Sequence, residues 1–414
     1  MSNASTASSL RWTMIALAFF ATLINYMDRQ ALSVAAPVMR LEFHLSNVGY
    51  SRILFAFLLA YTIMNGVSGL LIDRLGTRIG YGLFVGWWSL CALLHTMARG
   101  ALSLGIFRFL IGMGEAGNWP GAAKVVAEWF PAEERSFASG IFNSGSSVGA
   151  IIAPPIIAIL LLKFGWRSGF IAVGGLGLVW LIVWMRLYRS PVRKTAEPAL
   201  PPPLRLRELM NSRFVWSFML SKVFIDPVWY FYVFWFPEYL NHSRHFNITS
   251  IGRYAWIPFF VAGLGSVGGG LISKTFISHG MSVTSARKSA VAIAAVMMMM
   301  AIPAVLVKGA PFSIAFVSIA MAGYTAGLAN MLAMPADVFP AEAVASVYGL
   351  ASMGSGFGGM IFVLITGWLV DHYSYVPVFL IFGLIPLICV FVQWTLMGPL
   401  TRQTPFLQEE LPTS

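Results

Sequence analysis

Charge is what this 414-residue sequence has least of: Asp, Glu, Lys and Arg together make up 10% of it, against about 25% in an ordinary soluble domain. So few charges cannot give a chain of this size a hydrated surface, which excludes a soluble enzyme, a DNA-binding protein and a disordered chain. Cysteine is scarce too. Cys91 and Cys389 both stand in apolar runs, with neither metal-ligand spacing nor a disulfide framework. No basic stripe with interleaved aromatics lies outside the apolar segments. The 27 Lys and Arg against 16 Asp and Glu, a net charge of +11, therefore do not describe a nucleic-acid surface. In a membrane protein the same excess is expected in cytoplasmic loops.

What is abundant is apolar: 58% of the residues, with a mean hydropathy of +0.76. That is about 240 residues, material for about twelve spanning helices of roughly 20 residues each. The first apolar segment, 12–39, is too long for the hydrophobic core of a signal peptide and carries Asp28-Arg29 inside it. Others follow at 50–72, 79–98, 101–128, 137–162 and 168–188. A polar stretch with Pro201-Pro202-Pro203 then intervenes, and six more apolar segments run at 214–237, 251–272, 289–307, 311–335, 344–370 and 375–397. The expected fold is an all-α membrane protein of twelve transmembrane helices in two six-helix halves. Residues 1–188 make the N-terminal half, 189–213 a cytoplasmic linker, 214–400 the C-terminal half and 401–414 a cytoplasmic tail. Placing both termini in the cytoplasm puts most of the loop Lys and Arg inside, as the positive-inside rule requires.

Between the second and third segments stands Gly69-x3-Asp73-Arg74-x-Gly76-x-Arg78, and a degenerate copy, Gly269-x3-Ser273-Lys274, follows six segments later. Repetition at half-length is the mark of an internally duplicated transporter. An ordinary basic loop is the bland alternative for either copy alone.

Ionisable residues inside apolar segments each cost about 2.5–3.5 kcal/mol at mid-helix on insertion scales, so their presence needs a reason. Six stand out: Asp28, Arg29, Arg108, Glu115, Lys222 and Asp226. They sum to zero. Arg108 and Glu115 are spaced to share one helix face two turns apart, and Lys222 and Asp226 are i,i+4 neighbours able to pair directly. An embedded acid beside a movable cation suits a proton relay, whereas a buried pair that only locks helices is the structural alternative. The Arg29 guanidinium, with its planar fork for a carboxylate, reads as an anion site with Tyr26 and Gln30 beside it. Trp229 and Tyr230 follow a helix-interrupting Asp226-Pro227 and point to a cavity wall; for Trp235 and Tyr239 an interfacial aromatic belt is the alternative. His95, alone in the third segment, reads as a core residue.

The two-half plan and the Gly69–Arg78 loop resemble the major facilitator superfamily. Asn25-Tyr26-Met27-Asp28-Arg29-Gln30, Gly114-Glu115-Ala116-Gly117-Asn118, Ala127-Glu128-Trp129-Phe130-Pro131, Phe142-Asn143-Ser144-Gly145 and Asp226-Pro227-Val228-Trp229 are similar to its anion:cation symporter family, and there to the hexuronate-transporter branch. The resemblance covers essentially the whole chain. It implies proton-coupled import of an organic anion, typically a sugar acid, across a bacterial inner membrane by a monomer without cofactor or metal. Carried over by position, Asp28 and Glu115 are the proton-titrating acids, Arg108 the arginine that interacts with them, and Arg29 the carboxylate-binding group. Tyr26, Tyr61 and Asn143 match cavity positions, and Asn330 matches an asparagine of the tenth helix. Where that branch carries His and Trp before the asparagine, this chain has Tyr324 and Gly327. A hexonate, an aldarate or a non-sugar carboxylate is therefore open beside the hexuronates. The alternatives are a proton-driven drug exporter, a membrane-embedded enzyme and a transport-dead sensor. Exporters of the superfamily often follow Gly-x3-Gly with Pro in the fifth helix, but Gly145-x3-Gly149 is followed by Ala150. No Asp-rich metal motif, His cluster or Ser-His-Asp set supports an enzyme.

Overall fold

Backbone amides and carbonyls in lipid must be satisfied within their own segment, so long apolar runs fold as helices. A computed structural model describes residues 2–130, 132–189, 209–339 and 341–400, and no strand occurs among them. The linker expected at 189–213 falls mostly outside the described residues, and the tail at 401–414 wholly so. The N-terminal half comprises α1 (Ser2–Glu42), α2 (Asn47–Leu75), α3 (Thr77–Leu94), α4 (Ala101–Glu115), α5 (Asn118–Trp129), α6 (Ala132–Phe164) and α7 (Arg167–Leu187). The C-terminal half comprises α8 (Arg213–Arg244), α9 (Ile248–Tyr254), α10 (Ile257–Ser278), α11 (Val283–Met298), α12 (Ala301–Leu306), α13 (Ala310–Val338), α14 (Ala341–His372) and α15 (Tyr375–Thr395). Among the described residues ten stretches are long and apolar enough to cross a membrane, with α9–α10 and α11–α12 each forming one. The broken pair α4–α5 and the charged helix α8 bring the crossings to twelve.

The segment expected to run unbroken over 101–128 is two helices. Helix α4 ends at Glu115, and the Gly117 N–H turns back to the Gly114 carbonyl at 3.1 Å. Gly112, Gly114 and Gly117 weaken the helix there, and close packing demands them: a Cβ on Gly117 would lie 2.2 Å from the Phe84 ring. Buried Asn118 then starts α5, its amide donating to the Thr22 hydroxyl at 3.1 Å and its carbonyl accepting from Tyr81 at 2.9 Å.

The same glycine device appears in both halves. A Cβ at Gly145 or Gly149 of α6 would sit 2.4 and 2.5 Å from the Phe19 and Leu23 carbonyl oxygens of α1. In the other half, Gly354 and Gly358 of α14 would meet the Met219 and Val223 oxygens of α8 at 2.5 and 2.2 Å. Pro227 removes the helical donor that the Val223 carbonyl would otherwise have, and it is this carbonyl that Gly358 lies against. The two inner helices α1 and α8 are thus each held backbone to backbone by one i,i+4 glycine pair.

Described hydrogen bonds and ion pairs between the halves gather toward one end of the bundle, the end opposite the linker. Ser33 and Tyr50 both donate to the Phe234 carbonyl, at 3.1 and 3.0 Å. Arg40 pairs with Glu238. Asp371, near the end of α14, accepts from the Asn47 and Val48 amides at 2.8 and 2.7 Å and from the Asn47 side chain at 2.7 Å, capping the start of α2 across the domain boundary. Trp235 and Tyr239 are fully buried in this region. They are not an interfacial belt, because Trp235 packs edge-on against Tyr50 at 5.1 Å and Tyr239 shares a hydrogen bond with Ser313.

Candidate functional site

Helix α1 runs through the middle of the bundle and presents Tyr26, Asp28 and Arg29 within one turn. Arg29 is 4% exposed. Its Nε donates to Glu115 Oε2 at 2.7 Å, and its guanidinium carbon lies 5.2, 5.4 and 4.9 Å from the centroids of Tyr26, Phe57 and Tyr61. Three electron-rich rings and one carboxylate therefore enclose a single cation. Glu115 is the last residue of α4, where the helix dipole is unfavourable for an anion, and Arg29 offsets that cost.

This arrangement corrects the pairing read from spacing. Arg108 and Glu115 share a helix, but the carboxylate turns to α1 and meets Arg29; no ion pair joins Arg108 to it among the described residues. Nor is Arg29 an unoccupied anion site, since Glu115 already fills part of its fork. Asp28 is fully buried and both its oxygens lack a hydrogen-bond partner among the described residues, as do Nε and Nη2 of Arg108. Asp28 and Arg29 are neighbours on α1, and Arg108 and Glu115 lie on α4. Of these four embedded charges, only Arg29 and Glu115 make an ion pair among the described residues. His95 lies in the core of this half, stacked on Phe170 at 4.8 Å with Nδ1 donating to the Cys91 carbonyl at 2.7 Å.

The C-terminal half faces this cluster with a second pair. Lys222 Nζ and Asp226 Oδ2 are 2.7 Å apart, as their i,i+4 spacing predicts, and Asp226 Oδ1 accepts from the Tyr324 hydroxyl at 3.0 Å. Trp229 stacks on Tyr324, centroids 5.3 Å apart and planes 17° apart, and its side chain lies near Tyr26 of the other half. Tyr230 shares a hydrogen bond with Ser355 at 3.1 Å. A ladder of side chains therefore runs from Glu115 through Arg29 and Tyr26 in one half and from Trp229 through Tyr324 and Asp226 to Lys222 in the other, the two sections approaching each other at Tyr26 and Trp229. Sequence reasoning found its members but not the Tyr26–Trp229 rung, for which no local signal exists.

Two expected positions stand apart from that ladder. Asn330 is fully buried, and its amide donates to the Gly269 and Ala326 carbonyls at 2.8 and 3.0 Å, which ties α13 to α10. Asn143 lies exposed on α6. In the signature loop, Gly76 links α2 to α3 at φ 76°, a backbone that L side chains avoid. Gly69 faces Pro120, Arg74 is exposed, and Arg78 Nη2 donates to the Met185 carbonyl; the Asp73 side chain lies outside the described residues. In the degenerate copy Ser273 accepts from Arg287 Nη1 at 3.2 Å, while Arg287 Nε reaches Asp337 at 3.3 Å. Among the described residues no group of three or more His, Cys, Asp or Glu is placed to hold a metal.

The sequence profile of the Major Facilitator Superfamily matches residues 18–325 and, overlapping, 281–411. A hexuronate transporter of Escherichia coli strain K12 is 30% identical over 406 residues, 94% of each chain. A galacturonate transporter of Dickeya chrysanthemi is 32% identical over 70% of this chain and 89% of its own, and a probable galactarate/D-glucarate transporter of Escherichia coli strain K12 is 28% identical over 95% of each. Among solved structures, a D-xylose-proton symporter superposes with a TM-score of 0.77 at 13% identity, covering 94% of this chain and 98% of that one. A bacterial homologue of the lysosomal transporter Spinster, inward-facing and unoccupied, gives a TM-score of 0.71 at 20% identity, over 93% and 95%. These two likenesses concern the fold.

Proposed function

From the premise that the chain belongs to the major facilitator superfamily and is a multi-pass membrane transporter rather than an enzyme, we propose that it imports a sugar acid, a hexuronate or hexonate, together with protons across a bacterial inner membrane. The relatives named for hexuronate, galacturonate and galactarate/D-glucarate support the substrate class. The observation that carries the reading is the buried Arg29–Glu115 pair, enclosed by the rings of Tyr26, Phe57 and Tyr61.

A substrate carboxylate and the Glu115 carboxylate compete for the same guanidinium. With Glu115 ionised, Arg29 is neutralised, and an incoming anion meets like-charge repulsion. Protonating Glu115 without substrate leaves a buried cation without its counter-charge, a state disfavoured by about 3–5 kcal/mol. Substrate and proton therefore enter together, because each removes the penalty the other creates; that reciprocity is a coupling free energy. Asp28 beside Arg108 is the second acid of the relay. In this reading the links at Ser33, Arg40, Tyr50 and Asp371 close the outer end, and the site communicates with the cytoplasm, where both termini are placed by the charge of the loops. Release follows when Glu115 loses its proton there and retakes Arg29.

Proteoliposome uptake of radiolabelled galacturonate and gluconate under an imposed pH gradient tests this. Wild type accumulates substrate against its gradient. Glu115→Gln exchanges substrate but accumulates none, and Arg29→Ala binds none. Accumulation by Glu115→Gln at the wild-type level would end the proposed role of that acid.

A further inference from the structure

We infer that Lys222, Asp226 and Tyr324 form the far end of the binding site, reading hydroxyl groups and excluding a second carboxylate, so that the protein takes sugar monoacids and rejects diacids. The inference rests on the sugar-acid reading above and adds which class of sugar acid is taken.

The argument is an inventory of charge along the contact ladder. Arg29 is balanced by Glu115 at 2.7 Å, and protonation of Glu115 releases one cation for one carboxylate. At the other end Lys222 is balanced by Asp226, also at 2.7 Å. No proton on Glu115 changes that second balance, because the two pairs sit on different halves. Both oxygens of Asp226 are engaged, one by Lys222 and one by the Tyr324 hydroxyl at 3.0 Å, and the two side chains of the pair are only 6% and 10% exposed. Such a pair has no net charge to offer an anion. It still offers hydrogen bonds: the Lys222 ammonium carries three donors with one spent on Asp226, and the Tyr324 oxygen keeps acceptor capacity after donating. Neutral polyol hydroxyls match that set.

Between the two ends lies a flat surface. Trp229 stacks on Tyr324 at 5.3 Å and lies near Tyr26, whose ring lies 5.2 Å from the Arg29 guanidinium carbon. In the proposed pose a sugar acid lies along these rings with its carboxylate at Arg29 and its opposite carbon toward Lys222 and Asp226. In a uronate or hexonate that carbon carries an oxygen without charge. In an aldarate it carries a carboxylate, which would be set against the Asp226 carboxylate in a region of low polarity, where like charges repel strongly.

The test is a competition panel at pH 5.5 on the purified full-length protein in proteoliposomes, with galacturonate and gluconate as monoacids and galactarate and glucarate as diacids. Wild type should prefer the monoacids by about a hundredfold. Asp226→Asn keeps the shape, leaves Lys222 as an unbalanced cation and should raise diacid affinity enough to narrow the preference to tenfold or less. Equal wild-type affinity for the two classes overturns the inference, and that measurement needs no variant to fold. An Asp226→Asn protein that binds monoacids with the wild-type preference overturns it as well. If neither class binds wild type, the sugar-acid reading itself falls, which is distinguishable from a protein that binds both classes equally.

Discussion

Replacing Glu238 by Gln should swing the transporter toward the state open at its outer end. Arg40 and Glu238 pair across the two halves, with side chains 14% and 5% exposed. Removing one member of a buried pair costs about 3–5 kcal/mol, because the remaining charge is left without its partner. Here that cost falls on the closed state alone: once the halves part, Arg40 reaches water and needs no counter-ion. Arg40 also keeps a bond to the Leu45 carbonyl at 3.3 Å, which places the effect at the lower end, about 3 kcal/mol. At 1.4 kcal/mol per decade that is a shift of about 150-fold in the ratio of the two states. The links from Ser33, Tyr50 and Asp371 remain in the variant, so it should still fold and still close part of the time. Spin-label distances between the 42–47 and 372–375 connections of wild type and variant read the populations directly. A wild-type distance distribution in Glu238→Gln would refute the assignment of this pair as an outer latch.

In wild type the affinity for sugar acid should fall about tenfold per pH unit once Glu115 ionises, as one coupled proton requires. In Glu115→Gln it should stay high and flat on the same titration by calorimetry, and a wild-type slope in the variant would reject the competition for Arg29. Asp371→Ala removes the acceptor for two α2 amides and should weaken outer closure by about 1–2 kcal/mol, the usual value of an N-terminal cap. Asp371→Asn should lose less, since its amide oxygen still accepts; the same distance measurement checks both. Gly149→Val puts a branched side chain where a Cβ alone would stand 2.5 Å from the Leu23 oxygen. It should lower the melting temperature in detergent by several degrees or prevent folding, and an unchanged melting temperature would refute the backbone-to-backbone contact of α1 and α6.

What the sequence made legible was local or additive. Twelve apolar runs needed only hydropathy, and the Lys222–Asp226 pair needed only the helical period. The break after Glu115 had a local sign, three glycines in six residues, but the force that uses them is packing against Phe84 and Trp88, which lie far away in sequence. Arg29 and Glu115 could each be named, yet their union depends on the rotation of α1 against α4. That rotation is set by close approaches such as Gly112 to the Phe57 carbonyl and Gly145 to the Phe19 carbonyl, none of them a feature of one segment. Arg40, Glu238 and Asp371 stood near loop ends and carried no sign of pairing, because a latch between halves exists only after the halves are docked. Asn330 shows the reverse case: a polar residue in an apolar run invites a ligand, and here its amide is engaged by the Gly269 and Ala326 carbonyls while its side-chain oxygen keeps no partner among the described residues.

The two halves put their inner helices to unequal use, and on the proposed mechanism the inequality is what would make coupling possible. Helices α1 and α8 are gripped alike by glycine pairs, yet α1 pairs its cation with a carboxylate on another helix and α8 pairs its cation with its own carboxylate four residues on. A pair within one helix moves as a unit and keeps its balance when the halves rock. A pair between α1 and the end of α4 depends on how two helices meet at the break after Glu115, so small movements change it. Proton and substrate can therefore compete at Arg29 while the Lys222–Asp226 end stays constant. If both halves carried a pair between helices, a proton taken up on one side could be offset by an anion on the other, and the stoichiometry of transport would not be fixed. On the proposed mechanism, a ligand seated between Tyr26 and Trp229 would sense the state of Glu115 in one half while being measured against the constant Lys222–Asp226 pair of the other.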